Sequence, residues 1–167
     1  MSFLSAADLR ISAATRSHSR LPPVRSNVKP IQNMAGYSKR SLVDKLGIKP
    51  AQKFYLGNPP KDYAKTLGNL PAGALPMKTL NGPCDFIQFF TSDLAELRAA
   101  FPRLKKNLTP SGSLWISWPK AASKVKTDVN ENLVRGIGLE QGLVDVKVCA
   151  VDDVWSGLKF VYRLKDR

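Results

Sequence analysis

Histidine, cysteine and long apolar runs are scarce in this chain, and each scarcity argues against a class of function. The 167 residues include one histidine, His18, which argues against Ser-His-Asp catalysis and multi-histidine metal sites. The two cysteines, Cys84 and Cys149, lie far apart, which argues against a disulfide framework and against a zinc site of the usual spacing. No apolar run reaches the roughly 18 residues that a membrane-spanning helix needs. We therefore expect no metal site and no membrane span.

Acidic residues are also few, and the charge is strongly positive. Lys and Arg number 26 against 13 Asp and Glu, a net charge of +13, while 43% of the residues are hydrophobic. That hydrophobic share is enough for a core, and the length suits one domain or one domain with a tail.

The first 33 residues differ from the rest in composition. They hold five basic residues and one acidic residue, or +4, which leaves +9 for residues 34–167. Few large apolar groups follow Ile11, so this stretch has little surface to bury. We predict a disordered basic tail or upstream extension over residues 1–35 and a single domain over residues 36–167. Three interpretations of the tail stay open: an extension before a start at Met34, an organellar transit peptide, and a functional basic arm.

Strand and helix patterns alternate along the predicted domain. Ser41 and Asp44 form a capping-box variant for a first helix that Gly47 ends, and Asp93 with Glu96 caps a helix that Pro102 must kink or split. Another helix spans residues 61–69, and a last one is capped by Thr127 or Asp128. Apolar runs, with a turn at residues 109–112, predict strands over residues 53–57, 74–80, 84–90, 113–118, 143–151 and 158–164.

This alternation predicts the fold class. Strands that alternate with helices favour a mostly parallel sheet with helices on both faces. The last two strands are joined too closely for a helical crossover, so they should pair antiparallel at the end of the sheet. The expected fold is therefore a three-layer, Rossmann-like α/β sheet with a C-terminal antiparallel hairpin.

Residues 84–164 resemble the second half of a class I methyltransferase. The turn Leu-Thr-Pro-Ser-Gly-Ser-Leu at residues 108–114 is similar to the family's L-x-P-G-G-x-L turn before its fifth strand, and the terminal hairpin also matches. That family binds S-adenosylmethionine with a glycine-rich loop after its first strand, where this chain reads Gly57-Asn58-Pro59-Pro60. Two prolines there remove N–H donors and fix φ, and no acidic residue ends a second strand to hold the ribose. We therefore expect that the chain binds no cofactor.

A closer resemblance is to a small bacterial family with no established activity. It rests on residues 37–50, 54–60, 114–120, 146–152 and 155–159, which include Phe-Tyr-Leu-Gly-Asn-Pro-Pro and Leu-Trp-Ile-Ser-Trp-Pro-Lys. The resemblance implies a cytoplasmic bacterial protein with a degenerate methyltransferase-like fold. It also favours Met34 as the usual start.

A ligand site is expected where parallel strands end, because ligands of open α/β sheets bind outside the carboxyl ends of the strands. Three loops should meet there, together with the N-termini of the helices that begin near Asp93 and Asp128. Lysines beside helix N-termini suit a phosphate or a carboxylate, although the two aspartates could themselves occupy those caps. Trp118 is either a packing aromatic or a stacking surface. The candidate ligand-binding residues are Gly57, Asn58, Pro59, Lys61, Ser92, Trp118, Lys120 and Lys124.

Three functions stay open from the sequence. The first is a non-enzymatic, methyltransferase-like binding or regulatory module for a small anion or a protein partner. The second is sequence-nonspecific nucleic-acid binding, driven by positive charge, with the basic clusters Lys39, Arg40, Arg103, Lys105 and Lys106 as its contacts. The third is an S-adenosylmethionine-dependent methyltransferase with Asp93, Asp128 or Tyr63 near the reacting centre. We predict no catalytic residue, and expect the two cysteines to be inert core thiols.

Overall fold

The computed structural model describes residues 40–167. The predictions for the tail, for a start at Met34, for His18 and for Lys39 lie outside the described residues. The helices are α1 (Leu42–Leu46), α2 (Tyr63–Leu67), α3 (Leu94–Lys106) and α4 (Glu131–Glu140), with 3-10 turns at Ala121–Ser123 and Leu164–Asp166. The strands are β1 (Lys53–Gly57), β2 (Leu75–Met77), β3 (Cys84–Phe90), β4 (Leu108–Pro119), β5 (Leu143–Ala150) and β6 (Trp155–Tyr162).

The six strands form one mixed sheet in the order β2-β1-β3-β4-β6-β5. Strand β1 is parallel to β2 and β3, and β3 is parallel to β4. Strand β6 inserts between β4 and β5 and is antiparallel to both. The predicted mostly parallel sheet with a terminal antiparallel hairpin is confirmed.

Helices cover both faces, as predicted, because the central strands are apolar on both sides. Val43, Leu46, Tyr63 and Leu67 of α1 and α2 pack on one face against a core that includes Trp115 of β4. On the other face, α3 and α4 contribute side chains that pack against neighbouring strand residues; this core includes Leu97, Phe101, Val134, Ile137, Ile87, Phe89, Leu114, Ile116 and Phe160. Each large apolar side chain buried in these layers contributes about 1.5–3 kcal/mol.

The first helix forms from local signals, as predicted. Ser41 Oγ accepts a hydrogen bond from the Asp44 backbone N–H at 3.1 Å, and Ser41 Oγ–H donates to the Asp44 carboxylate at 2.7 Å. Gly47 follows in the left-handed region with φ of 83°, and its N–H donates to the Val43 carbonyl. This short helix is therefore closed at both ends by its own sequence.

Several element boundaries differ from the predictions. Helix α3 continues through Pro102, so the predicted split is wrong. The predicted turn at residues 109–112 instead falls within β4, at a β-bulge: Leu108 pairs with Cys84 and Ser113 with Phe86, so these four residues stand opposite Asp85 alone. Helix α2 and strand β2 are shorter than predicted, and β6 begins three residues earlier, at Trp155.

Candidate functional site

The carboxyl ends of β1, β3 and β4 lie side by side, because these strands are parallel neighbours. Hydrogen bonds tie the following loops together. Asn58 Nδ2 donates to Glu96 Oε1 of α3 at 2.8 Å, and Thr127 Oγ1 donates to the Ser92 carbonyl at 2.8 Å. The loops therefore converge at one edge of the sheet, as the sequence predicts.

Two neighbouring clefts open at this edge. The larger, of about 560 Å³, is lined by Trp118 and Pro119 of β4, Ala121 and residues 124–130. The smaller, of about 320 Å³, is lined by Ser92, Asp93 and residues 126–128. Residues 126–128 form part of both walls. We refer to the larger cavity as the β4 cleft.

The β4 cleft combines an apolar floor with charged walls. Trp118 is buried at 6% exposure and belongs to the core beneath α3 and α4. Lys124 and Lys126 lie in the exposed loop on the wall. Lys124 has a φ of 60°, in the left-handed region that side chains rarely adopt. The cleft thus presents two cations and one carboxylate, Asp128, beside a packed tryptophan, and the two lysines suit a small anion.

Two backbone N–H groups in the first turn of α3 are occupied by carboxylates. Asp93 Oδ1 accepts from the Glu96 N–H at 2.8 Å, and Asp128 Oδ1 accepts from the Leu94 N–H at 2.8 Å. Both carboxylates therefore occupy the positive end of this helix. Carboxylates of the chain thus occupy these two donors, the alternative that the sequence analysis left open.

The cap of α4 is also different from the prediction. Asn130 caps this helix by accepting from the Leu133 N–H at 3.0 Å, in place of Thr127 or Asp128. Thr127 instead accepts from the Val129 N–H at 3.0 Å, and Asp128 reaches across to α3. Lys126, Thr127 and Asp128 are thus cleft residues that the sequence prediction omitted. Thr127 and Asp128 matched a local capping pattern, and a contact to a helix 34 positions away has no local signal.

Contacts with β3 and α3 restrain the loop that follows the first strand. A Cβ on Gly57 would lie 2.6 Å from Phe89 Cδ2, so glycine is needed there to admit the Phe89 ring. Asn58 has a φ of 50° and is held by Glu96, and two prolines without N–H groups follow. The loop between β1 and α2 is therefore exposed at Asn58 and Pro59 but restrained by β3 through Phe89 and by α3 through Glu96.

The predicted ligand-binding residues fall into two groups. Ser92, Trp118 and Lys124 line the two clefts, and Gly57, Asn58, Pro59 and Lys61 line neither. Lys120 is also outside both linings, because its Nζ donates to the Asp152 carbonyl at 2.5 Å and ties β4 to the β5–β6 loop. The structure thus brings together three of the eight predicted residues at the clefts.

A buried polar chain crosses the other face of the sheet. Tyr63 OH donates to Gln88 Oε1 at 2.7 Å, and Gln88 Nε2 donates to Ser117 Oγ at 3.0 Å. Burial raises the pKa of Tyr63, with the charge of Asp152 adding to the effect and the Gln88 hydrogen bond opposing it. The phenol is therefore held protonated in the core, where it acts as a hydrogen-bond donor.

The two cysteines are buried thiols, as the sequence predicts. Cys84 and Cys149 are both free within the described residues. Desolvation by burial raises the pKa of the Cys84 thiol to about 11. Because the thiolate is the reactive form, this thiol is chemically quiet at neutral pH.

The basic residues considered for nucleic acid are partly engaged elsewhere. Arg103 Nη2 donates to the Leu80 carbonyl at 3.0 Å, and Lys105 Nζ donates to the Gln141 carbonyl at 2.5 Å. Arg40 and Lys106 are exposed. Main-chain carbonyls thus hold two basic residues of α3, Arg103 and Lys105. Nucleic-acid binding through this cluster stays a prediction.

Two further findings concern residues 40–167 as a group. Among them, no three His, Cys, Asp or Glu side chains come together in a way that could hold a metal ion. No helix within this range is long and apolar enough to cross a bilayer.

Solved structures share this architecture across most of the chain. The magnesium protoporphyrin IX methyltransferase of Synechocystis PCC 6803 with bound S-adenosylmethionine matches with a TM-score of 0.52 at 14% identity, covering 73% of this chain and 74% of that one. DhpI in complex with S-adenosylhomocysteine matches with a TM-score of 0.53 at 10% identity, covering 74% and 83%. The fold is that of the class I methyltransferases. A ribosomal protein methylase from Lactobacillus delbrueckii subsp. bulgaricus is also similar, with a TM-score of 0.51 at 14% identity over 73% and 75% of the two chains.

Comparisons by sequence give no match: no family model and no curated protein matches this chain. The likeness is therefore one of fold.

The residues at the fold's cofactor position do not fit S-adenosylmethionine. Glycines are useful beside a cofactor because they let backbone N–H groups approach it. Here β1 is followed by Asn58, Pro59 and Pro60, and Phe89 packs on Gly57. Strand β2 is followed by Lys78, a cation, where a carboxylate would be needed to bind ribose hydroxyls. The β1 loop therefore offers fewer N–H donors than a glycine-rich loop, and the residue that follows β2 is a cation.

Proposed function

We propose that this chain is a non-enzymatic binding module on a methyltransferase-like fold, and that the β4 cleft binds a small anion. The observation that carries the proposal is the position of Lys124 and Lys126 on the wall of a cleft of about 560 Å³ at the carboxyl end of the sheet. This is the edge where open α/β sheets bind ligands. The ligand class is a phosphate or a carboxylate, which two ammonium groups recognise by charge-assisted hydrogen bonds.

The arrangement of carboxylates around the cleft supports the same ligand class. Asp93 and Asp128 each accept a backbone N–H from α3, so part of their charge is offset by the helix N-terminus. Lys124 and Lys126 form no ion pair with a carboxylate of residues 40–167. The two cations are thus available to an incoming anion.

Inorganic phosphate is the probe for this proposal. Titrated into the ¹⁵N-labelled chain, it is expected to shift the backbone amide signals of residues 124–128. The double variant Lys124→Met, Lys126→Met should weaken this binding by about tenfold or more, because it removes both charge-assisted contacts. Lys61→Met, at an exposed lysine outside both clefts, serves as the matched control and should bind like the parent chain. Equal binding by the double variant, or no shift in the parent, contradicts the proposal.

A second candidate is an S-adenosylmethionine-dependent methyltransferase. It is favoured by the solved structures of the same fold that hold S-adenosylmethionine or S-adenosylhomocysteine. Against it stand the β1 loop, packed against Phe89 and tied to Glu96, and the cation Lys78 after β2.

Calorimetric titration with S-adenosylmethionine separates the two candidates. Because two prolines reduce the N–H donors after β1 and a cation follows β2, we expect no heat of binding and no rise in melting temperature. S-adenosylhomocysteine provides a second probe of the same site without the sulfonium charge. Saturable binding of either compound would make the methyltransferase the better supported function.

A further inference from the structure

A group of lysines surrounds the C-terminal end of α1, on the face of the sheet that α1 and α2 cover. Lys147 of β5 and Lys159 of β6 are directly opposed partners in the antiparallel ladder. Lys49 lies just after α1, and its charge acts on Lys159 together with that of Lys147. Like charges at opposed positions destabilise a sheet. We call Lys49, Lys147 and Lys159 the lysine cluster.

Lys159 is at the centre of this cluster and is half-buried. Trp115 is its partner on β4, and a Cβ on Gly47 would lie 3.7 Å from Lys159 Nζ, so the ammonium sits below the end of α1. Within residues 40–167, no carboxylate forms an ion pair with any of the three lysines. The Lys159 ammonium also has no hydrogen-bond partner among these residues.

The end of α1 explains one of these lysines. Lys147 Nζ donates to the Lys45 carbonyl at 2.8 Å, where the negative end of the helix favours a cation. The neighbouring Leu46 carbonyl is taken by Trp115 Nε1 at 3.0 Å. Lys159 has only repulsion from its charged neighbours, and burial followed by the charges of Lys147 and Lys49 lowers its pKa. A half-buried cation of this kind costs stability unless an anion joins it.

We propose that the lysine cluster binds a phosphate group. A phosphate carries enough negative charge to offset several ammonium groups and accepts hydrogen bonds from each of them. The group has two sources, a small phosphate compound and the backbone of a nucleic acid. This site is separate from the β4 cleft, because Trp118 and Val129 of that cleft belong to the core on the opposite face of the sheet.

Inorganic pyrophosphate and a single-stranded oligonucleotide are the two probes. Each probe is titrated separately, at low salt, into the ¹⁵N-labelled chain. We expect the probe that resembles the natural ligand to shift the amide signals around Lys147 and Lys159. Lys159→Met should weaken that binding by about tenfold or more, and Lys49→Met should also weaken it. Lys78→Met, at an exposed lysine just after β2 and outside both basic clusters, is the matched control and should leave binding unchanged.

The outcomes are decisive in each direction. Pyrophosphate binding that depends on Lys159 assigns a small phosphate compound, and oligonucleotide binding alone assigns a nucleic-acid backbone. Lys159→Met is expected to have a melting temperature no lower than that of the parent, because it removes an uncompensated charge. If Lys159→Met does not fold, the binding of the Lys49→Met variant still tests the proposal. Shifts confined to residues 124–128, no binding of either probe, or equal binding by both cluster variants and the control would overturn the proposal.

Discussion

Replacing Trp115 by alanine is expected to lower the free energy of unfolding by about 3–5 kcal/mol. Trp115 lies on the central strand β4, is fully buried, and is the largest fully buried side chain of the described residues. It packs in the core beneath α1 and α2, and its Nε1–H donates to the Leu46 carbonyl at 3.0 Å. The substitution therefore creates a large cavity and leaves a helix-end carbonyl unpaired. Urea unfolding followed by far-UV circular dichroism measures the loss.

Trp115→Phe separates the two parts of that effect. Phenylalanine retains most of the apolar contact, but it cannot donate to the Leu46 carbonyl. Its expected cost is about 1–3 kcal/mol, the range for a buried group that loses its partner. A Trp115→Ala variant as stable as the parent would contradict the expected loss. Equal losses for alanine and phenylalanine would show that the apolar contacts of Trp115 contribute nothing beyond its hydrogen bond to the Leu46 carbonyl.

Gly138→Ala is expected to destabilise the chain by about 1–3 kcal/mol, although alanine is the better helix former. Gly138 lies in α4, where an added Cβ would be 2.0 Å from Phe160 Cε1. Phe160 is fully buried and packs edge-to-face on Phe101, with ring centroids 5.8 Å apart. The ring has no free space to move into, so α4 must shift away from the sheet. Thermal or urea unfolding measures the change.

Gly136→Ala provides a matched control in the same helix. No atom lies within 4 Å of its added Cβ, so only the helix propensity changes. We expect a gain of about 0.5–1 kcal/mol. Two identical substitutions two positions apart should thus have opposite signs. The packing of α4 on Phe160 is refuted by a gain at both positions.

Most of the architecture was predictable because its signals are local or periodic. The capping residues around α1 lie within a few positions of each other, and β3 is apolar except at Asp85 and Gln88. The short connection between β5 and β6 excludes a helical crossover, so their antiparallel pairing follows. The start of β4 was harder to predict from the sequence, because Pro110 and Gly112 are typical of a turn. Leu108 pairs with Cys84 of β3 and Ser113 with Phe86, so Pro110 and Gly112 lie in a β-bulge of the strand.

The candidate site was predictable only in part. The loops that meet at the carboxyl edge follow from a parallel sheet, and Ser92, Trp118 and Lys124 line the clefts found there. The contribution of Asp128 could not be read from the sequence, because its partner is the Leu94 N–H on another helix. The same holds for Asn58, whose amide bonds to Glu96 and closes the β1 loop.

The sequence by itself determined the class of fold, the order of its elements and the two thiols buried in its core, because apolar periodicity and capping act over short distances. Only the tertiary structure decided which lysines and aspartates lie close to one another. It left three lysines without a carboxylate partner around α1, and it placed two aspartates on one helix end, since register and helix docking bring together residues that are distant in the chain. The excess of positive charge thereby acquires defined positions: two lysines on the wall of the β4 cleft and three in the lysine cluster.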